Sequence, residues 1–310
     1  MAHPKRRLPG NAPGAFYVDD TCIDCDTCRW LAPETFLRAA GQSAVREQPM
    51  TQETRRRALL AAVACPTASI GTLEAAPEMP AARAAYPIPI TDMGPTGDPA
   101  RIPEGADQVY YCGYHSAASY GAASYLIRRP DGNVLVDSPR RSETLAARIR
   151  ELGGARWLFL THGDDVADHG FWRETLGCDR ILHEGDVAPS TRGCERILTG
   201  GDQVDLAPDL RIIPVPGHTR GSCALLYRNA FLFTGDHLAW SERRGHLYAF
   251  RDACWHSWTE QIDSMRKLAG YPFEWVLPGH GRGRHEDSRE MASQMGRCLE
   301  WMSAPTGSHR

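Results

Sequence analysis

The sequence predicts an α+β chain in two parts: a short cysteine-bearing N-terminal unit and a larger C-terminal unit in which strands outnumber helices. Three observations carry that expectation. Cys22, Cys25, Cys28 and Cys65 all fall in the first quarter of the 310 residues. Seven of the 22 prolines lie between residues 75 and 105, where they break the chain into two. Beyond residue 107, short apolar runs alternate with amphipathic stretches and turn residues.

Composition narrows the classes. Hydrophobic residues make up 42% and charged residues 24%, enough to bury a core. Lys+Arg is 35 against 38 Asp+Glu, a net charge of -3, which argues against a general nucleic-acid binder. No uninterrupted apolar run reaches the ~18 residues a membrane span needs. The basic start MAHPKRR has no apolar stretch behind it, so the cytoplasm is the expected compartment. Clustered cysteines in that compartment bind metal more often than they form disulfides.

The expected division is residues 14–75, then a proline-rich extended linker over 76–106, then residues 107–303. In the first part the clear element is an amphipathic helix from Glu53 to Ala64, ending at Cys65-Pro66. A unit this small calls for a staple such as a metal site. In the last part, ASYLIRR and NVLVDS read as strands joined by a turn at Pro130-Asp131-Gly132-Asn133. SETLAARIRELGG reads as a helix capped by Ser142 and stopped at Gly153. ARWLFLTH is a buried strand, followed by a helix from Asp168 to Leu176 and the strand RILHE. LRIIPVPG, SCALLYR and AFLFTGD are strands. A helix from Ser257 to Ala269 leads to the strand FEWVLPG, and a last helix spans Ser288 to Met302.

Cys22, Cys25 and Cys28 give two successive CxxC spacings, and Cys65-Pro66 follows far along the chain. Such a run wraps one face of a 4Fe-4S cluster while a distant cysteine closes it. Zinc also takes four cysteines, but its ribbons favour two separated CxxC pairs. The segment DDTCIDCDTCRWLAPETF, with ACPTASI later, resembles the bacterial-type ferredoxins, as a member with one cluster. Asp19, Asp20, Asp24 and Asp26 crowd the cysteines, as a solvated loop or a docking patch for a redox partner protein.

Four strand-like runs each end on a histidine or aspartate beside glycine. WLFL leads to Thr161-His162-Gly163-Asp164-Asp165-Val166-Ala167-Asp168-His169, and IIPV leads to Pro216-Gly217-His218. AFLF leads to Thr234-Gly235-Asp236-His237, and WVL leads to Pro278-Gly279-His280. Imidazole and carboxylate suit zinc, iron or manganese. GHTRGS, TGDH and PGHG resemble the later motifs of the metallo-β-lactamase superfamily, over residues 107–283. That resemblance implies an αββα sandwich after the ferredoxin-like domain, with the glyoxalase II hydrolases and the flavodiiron proteins as the branches to compare. The first motif departs from the family's HxHxDH: Asp164 stands at the second histidine, and two extra residues precede Asp168-His169. A carboxylate there is similar to the flavodiiron pattern. The resemblance implies two divalent metal ions, zinc or iron. His162, Asp164 and His218 would hold one, Asp168, His169 and His280 the other, and Asp236 would bridge them as the catalytic carboxylate.

The expected activity is binuclear hydrolysis of an ester, thioester or lactam in a small-molecule substrate by a metal-bound hydroxide. A di-iron oxidoreductase or oxygen-activating enzyme, fed electrons by the ferredoxin part, is the alternative. Trp255 and Trp258 are read as helix packing, Arg243, Arg244 and Arg251 as a solvated loop, and the other six cysteines as reduced thiols.

Overall fold

The computed structural model describes residues 2–93 and 108–304, which divide into two compact units. The first holds residues 2–93, 108–156 and 167–177; the second holds 157–166 and 178–304. The cysteine-bearing segment thus shares a unit with residues well past the proline-rich stretch. No helix of the described residues is long and apolar enough to cross a membrane.

The first unit opens with β1 (Phe16–Val18), which pairs antiparallel with β4 (Ile70–Thr72). Between them lie α1 (Thr27–Leu31), the hairpin of β2 (Phe36–Ala39) and β3 (Gln42–Val45), and α2 (Gln52–Ala64). Helix α2 starts where Thr51 and Thr54 form a reciprocal capping box, worth about 1 kcal/mol. Phe16, Tyr17, Leu31, Phe36, Leu59 and Leu60 are each at most 4% exposed. At ~1.5–3 kcal/mol for each fully buried side chain, that apolar burial matches the scale of a structural metal site. The cysteine-bearing segment therefore has more core of its own than its length suggests.

The expected extended linker is structured over its described part. Met79–Ala85 forms helix α3, and Ile88–Pro89 forms the edge strand β5. The prolines permit both. One stands in the first turn of α3, where a missing N–H costs nothing, and the Ala-rich remainder favours helix. Pro89 sits on an edge strand, where a proline is tolerated. The rest of the expected linker, residues 94–106, lies outside the described residues. Strands β6 (Val109–Tyr111), β7 (Tyr125–Ile127) and β8 (Val134–Val136) continue antiparallel from β5 in chain order. Helix α4 (Glu143–Glu151) is capped by Ser142, whose hydroxyl accepts the Leu145 N–H. Helix α5 (His169–Leu176) ends on Gly177 at positive φ.

In the second unit, β9 (Trp157–Phe159), β10 (Asp179–His183) and β11 (Arg196–Leu198) run parallel. A second sheet contains β12 (Val204–Ala207), β13 (Leu210–Pro214), β14 (Cys223–Tyr227) and β15 (Phe231–Gly235), antiparallel in that order. Strands β16 (Ala239–Ser241) and β17 (His246–Tyr248) form a small hairpin. Helix α6 (Trp258–Leu268), capped by Ser257, precedes β18 (Trp275–Pro278), which lies parallel to β15. Strand β19 (Arg284–His285) closes that sheet, and α7 (Ser288–Ser303), capped by Asp287, follows. The core here joins Ile213, Leu226, Leu232 and Val276 to Met265, Met291 and Met295. Sheet and helix surfaces thus bury their apolar faces against one another.

Strand direction decides where the ligands gather. Strands β13, β15 and β18 all point the same way, because β14 runs antiparallel to both β13 and β15, and β18 is parallel to β15. Their C-terminal ends deliver His218, Asp236 and His280 to one edge, the usual site-bearing edge of such sheets.

The helical reading of α3 is checked by limited proteolysis. Arg83 is exposed within α3, and a protease needs several residues of extended chain. Trypsin should spare Arg83 while the protein is folded. Cleavage there at the rate of an unfolded peptide would restore the extended-linker reading.

Candidate metal centre and cluster cradle

His162, His218 and Asp236 place one ligand atom each within 4.8 Å of one another, and so do Asp165, Asp236 and His280. Asp236 belongs to both sets. Its Oδ2 lies 3.8 Å from His162 Nε2 and 3.8 Å from His218 Nε2. Its Oδ1 lies 2.7 Å from His280 Nδ1. One oxygen faces each set, the geometry a bridging carboxylate needs. Close backbone approach is essential here: a Cβ on Gly279 would sit 2.8 Å from Asp165 Oδ2 and 2.9 Å from Asp236 Oδ1.

The donors fit a pair of cations. His162 Nε2 and both ring nitrogens of His218 are buried with no hydrogen-bond partner, a costly state that a bound metal would relieve. Burial is the main influence lowering the pKa of His162, so its ring stays neutral, the form that ligates. Burial pushes the Asp236 carboxyl up, but the charge and hydrogen bond of His280, with His162 and His218, outweigh it and hold the group well below the carboxylate range. The Thr161 hydroxyl, 3.0 Å from His162 Nδ1, fixes that ring, as outer partners of metal ligands do.

Of the sequence-derived ligands, His162, His218, Asp236 and His280 come together. Asp164 lies at the rim, with Oδ2 3.6 Å from His218 Nε2 and a side chain 54% exposed. The adjacent His218 ring is the main influence lowering its pKa. Asp168 and His169 are not in either close set. Asp168 accepts the Arg141 N–H at 2.7 Å and stands at the N-cap of α5, and His169 opens that helix. Asp165, 1% exposed, takes the place expected for them. The two-residue insertion carries the later Asp-His pair into a helix start, and the second acid of the Asp164-Asp165 pair turns inward. The adjacent acids were the signal for this, but spacing alone did not rank them.

Asp186 went unpredicted. Its carboxylate accepts the Gly163 N–H at 2.8 Å, the Gly221 N–H at 2.8 Å and the Thr219 hydroxyl at 2.6 Å. It therefore ties the loop of His162 to the loop of His218. His237 does not continue β15, which ends at Gly235. Its N–H turns back to Thr234 O at 3.0 Å, and the ring is fully buried. Trp258 packs edge-on against Trp301, as expected, but Trp255 is 67% exposed with its ring 6.3 Å from that of His218. Arg244 and Arg251 lie over Trp301 and Trp258, not in a free loop.

In the first unit, Cys22, Cys25, Cys28 and Cys65 line one small cavity with Thr27, Ser43, Thr67 and Ser69. Among the described residues, no three of these sulfurs lie within 4.8 Å of one another. A single tetrahedral zinc, with Zn–S of ~2.3 Å, requires sulfurs closer than that. The wider cradle suits a cubane. Asp24 and Asp26 take the left-handed backbone, at φ 60° and 70°, which lets the chain curl between successive cysteines. The Ser43 and Ser69 N–H groups donate to Cys22 and Cys65 sulfurs at 3.4 and 3.3 Å. Burial pushes the Cys25 thiol up to about 11, so loading a cluster must release its proton. The neighbouring acids are paired within the segment, although Asp20 stays half exposed. Arg29 binds Asp24 and Asp26, Arg38 binds Asp24, Arg6 binds Asp20, and Asp19 is buried against Thr21 and the His3 N–H.

Together the folds and donor sets define an α+β metalloprotein with an iron–sulfur segment. Residues 106–297 match the metallo-beta-lactamase superfamily, more than half of the chain, and the protein belongs to that superfamily. Residues 18–72 match the 4Fe-4S single cluster domain of ferredoxin I. A curated hydroxyacylglutathione hydrolase of Anaeromyxobacter dehalogenans (strain 2CP-C) is 35% identical over 120 residues, 38% of this chain and 46% of that protein. The chain thus spans less than half the length of that relative. A crystal structure in a di-iron-bound form is 24% identical, covering 56% of this chain and 93% of the other, with a TM-score of 0.45. The B3 metallo-β-lactamase BLEG-1 is 19% identical, covering 59% and 95%, with a TM-score of 0.46.

Two measurements check the centre. Asp165→Asn and Asp236→Asn should each lose at least about one bound metal per chain, while Asp168→Asn keeps full occupancy. Metal loss in Asp168→Asn with retention in Asp165→Asn would reverse the assignment. The second concerns pH. Burial, then His218 and His162, push His237 down to about 3 from an ordinary 6.5. The unfolded chain binds a proton there that the folded protein refuses. The resulting stability is complete above pH 6.5 and drains as pH falls toward 3. Without the binuclear metals, melting temperature should fall across that window. His237→Leu should flatten the slope; an unchanged slope would remove His237 from the account.

Proposed function

We propose that the protein is a binuclear metal-dependent hydrolase, with residues 107–303 as the catalytic domain and residues 14–75 as an electron-transferring ferredoxin-like domain. The observation that carries this reading is Asp236, whose two oxygens face two separate donor sets. His162, Asp164, His218 and Asp236 would hold one ion; Asp165, Asp236 and His280 would hold the other. Two ions so placed would lower the pKa of a shared water to about 7 and polarise the oxygen of an ester, thioester or lactam carbonyl.

The chain's own groups supply the rest. Asp186 fixes the loops of His162 and His218, so the donors need little rearrangement. Asp164, at the rim and ionised at neutral pH, would add an anionic oxygen donor to the first ion. Trp255, exposed beside His218, offers an apolar wall for the acyl part of a substrate. The hydroxyacylglutathione hydrolase relative supports a thioester as the first substrate to try.

A second reading has its own support. Asp164, Asp165 and Asp236 make the centre rich in hard oxygen donors, which suits iron. The cysteine cradle would supply electrons, which hydrolysis does not need. This is the di-iron oxidoreductase.

One experiment separates the two. Protein purified without oxygen should contain about two zinc ions per chain beside the cluster iron, and should cleave a hydroxyacylglutathione thioester. Two additional iron atoms, no thioester cleavage, and oxygen uptake with dithionite as reductant would overturn the hydrolase in favour of the second reading.

A further inference from the structure

The first unit holds a buried polar chain that the binuclear site does not use. Thr27 Oγ1 lies 3.5 Å from the Cys25 sulfur and 3.0 Å from His115 Nδ1. The other ring nitrogen of His115 is hydrogen-bonded to the Tyr111 hydroxyl. Thr27, His115 and Tyr111 are 2%, 1% and 0% exposed. Thr27 lies in the ferredoxin-matching segment, whereas Tyr111 and His115 lie in the segment matching the metallo-β-lactamase superfamily.

The surrounding loop is held to the cradle at several points. The Tyr120 hydroxyl donates to Ile23 O at 2.6 Å, and the His115 N–H donates to Ala64 O at 3.2 Å. Arg140 donates to Cys65 O at 3.2 Å. Gly121, at φ +88°, passes so close that a Cβ there would sit 2.8 Å from the Cys25 Cβ. Tyr111 itself is fixed edge-on against Trp30, at 5.2 Å between ring centroids.

We propose that Tyr111, His115 and Thr27 form a one-way relay of hydrogen-bond donors that ends on the Cys25 sulfur and raises the reduction potential of the cluster held there. The inference rests on the reading of the four cysteines as cluster ligands. Its directions follow from counting hydrogens. A cysteine bound to iron has lost its proton, so the single hydrogen of the Thr27 hydroxyl points at sulfur. Thr27 Oγ1 then accepts from His115, which therefore carries its proton on Nδ1. A neutral imidazole so protonated offers Nε2 as an acceptor, and the Tyr111 hydroxyl donates to it. Burial pushes the Tyr111 phenol well above its ordinary range, so that donor keeps its hydrogen.

Donors in series polarise one another, and the last acts on the sulfur. Reduction adds one electron to the cluster, taken from an external one-electron donor, and no proton moves. The added negative charge spreads onto the sulfurs, where hydrogen-bond donors stabilise it. His115 and Tyr111 touch neither sulfur nor iron; they are positioning residues for the Thr27 hydroxyl.

The test is a redox titration of the whole chain under anaerobic conditions, with dithionite as reductant and iron and sulfide content measured in parallel. At the wild-type midpoint, Thr27→Val should lower the ratio of reduced to oxidised cluster about tenfold, or about 59 mV for a one-electron couple. Tyr111→Phe should move it the same way by less, and Thr27→Ser, which restores the hydroxyl, should lie near wild type. Thr27→Val and Tyr111→Phe proteins with full clusters and the wild-type midpoint would overturn the relay alone. If Thr27→Val fails to hold its cluster, Tyr111→Phe decides. A wild-type protein without cluster iron and sulfide would overturn the relay together with the cluster reading beneath it, and would leave the binuclear site untouched.

Discussion

A largely buried carboxylate flanked by three imidazoles is the constraint around which the second unit is arranged. Asp236 sits at the end of β15 beside the end of β18, and the Gly279 N–H donates to Gly235 O at 2.8 Å. That single bond brings the strand ends together and sets His280 beside Asp236. An ionised carboxylate this deep needs compensating positive charge, and neutral imidazoles alone supply only partial relief. Burial opposes the charging of His162, and of His237 next to Asp236 in the chain. The compensation must come from cations. Gly235, Gly279 and the parallel strand pair make sense as devices that let donors converge on them.

The cysteine cradle solves a different problem. Three of its four cysteines come from a tight loop whose turns use left-handed Asp24 and Asp26, and Arg29 pairs with both. The acidic residues that draw attention in the sequence are therefore part of the loop's own scaffold.

Much of this was legible before any coordinates. The successive CxxC spacings name their cysteines without help from tertiary structure, because adjacent turns place them. The four strand-end motifs were equally plain, since each couples an apolar run to glycine and a ligand within a few residues. The helix cap at Ser142 was local in the same way. What escaped was non-local. Asp165 outranks Asp168 only because the chain turns inward before the insertion and α5 claims Asp168. Asp186 bonds backbone N–H groups in distant loops, and no motif marks such a carboxylate. The linker reading failed at α3 because proline was counted as a breaker where it opens a helix.

The Asp186 clasp also bears on how the centre acquires its ions. The loops it joins are already fastened by three hydrogen bonds in which no metal takes part. Ordering entropy has then been spent during folding and is not charged again when an ion arrives. Uptake becomes capture by a ready-made cavity, governed by how fast each ion sheds its water. The emptied centre should keep its shape, and exchanging one metal for another should require no unfolding of the chain.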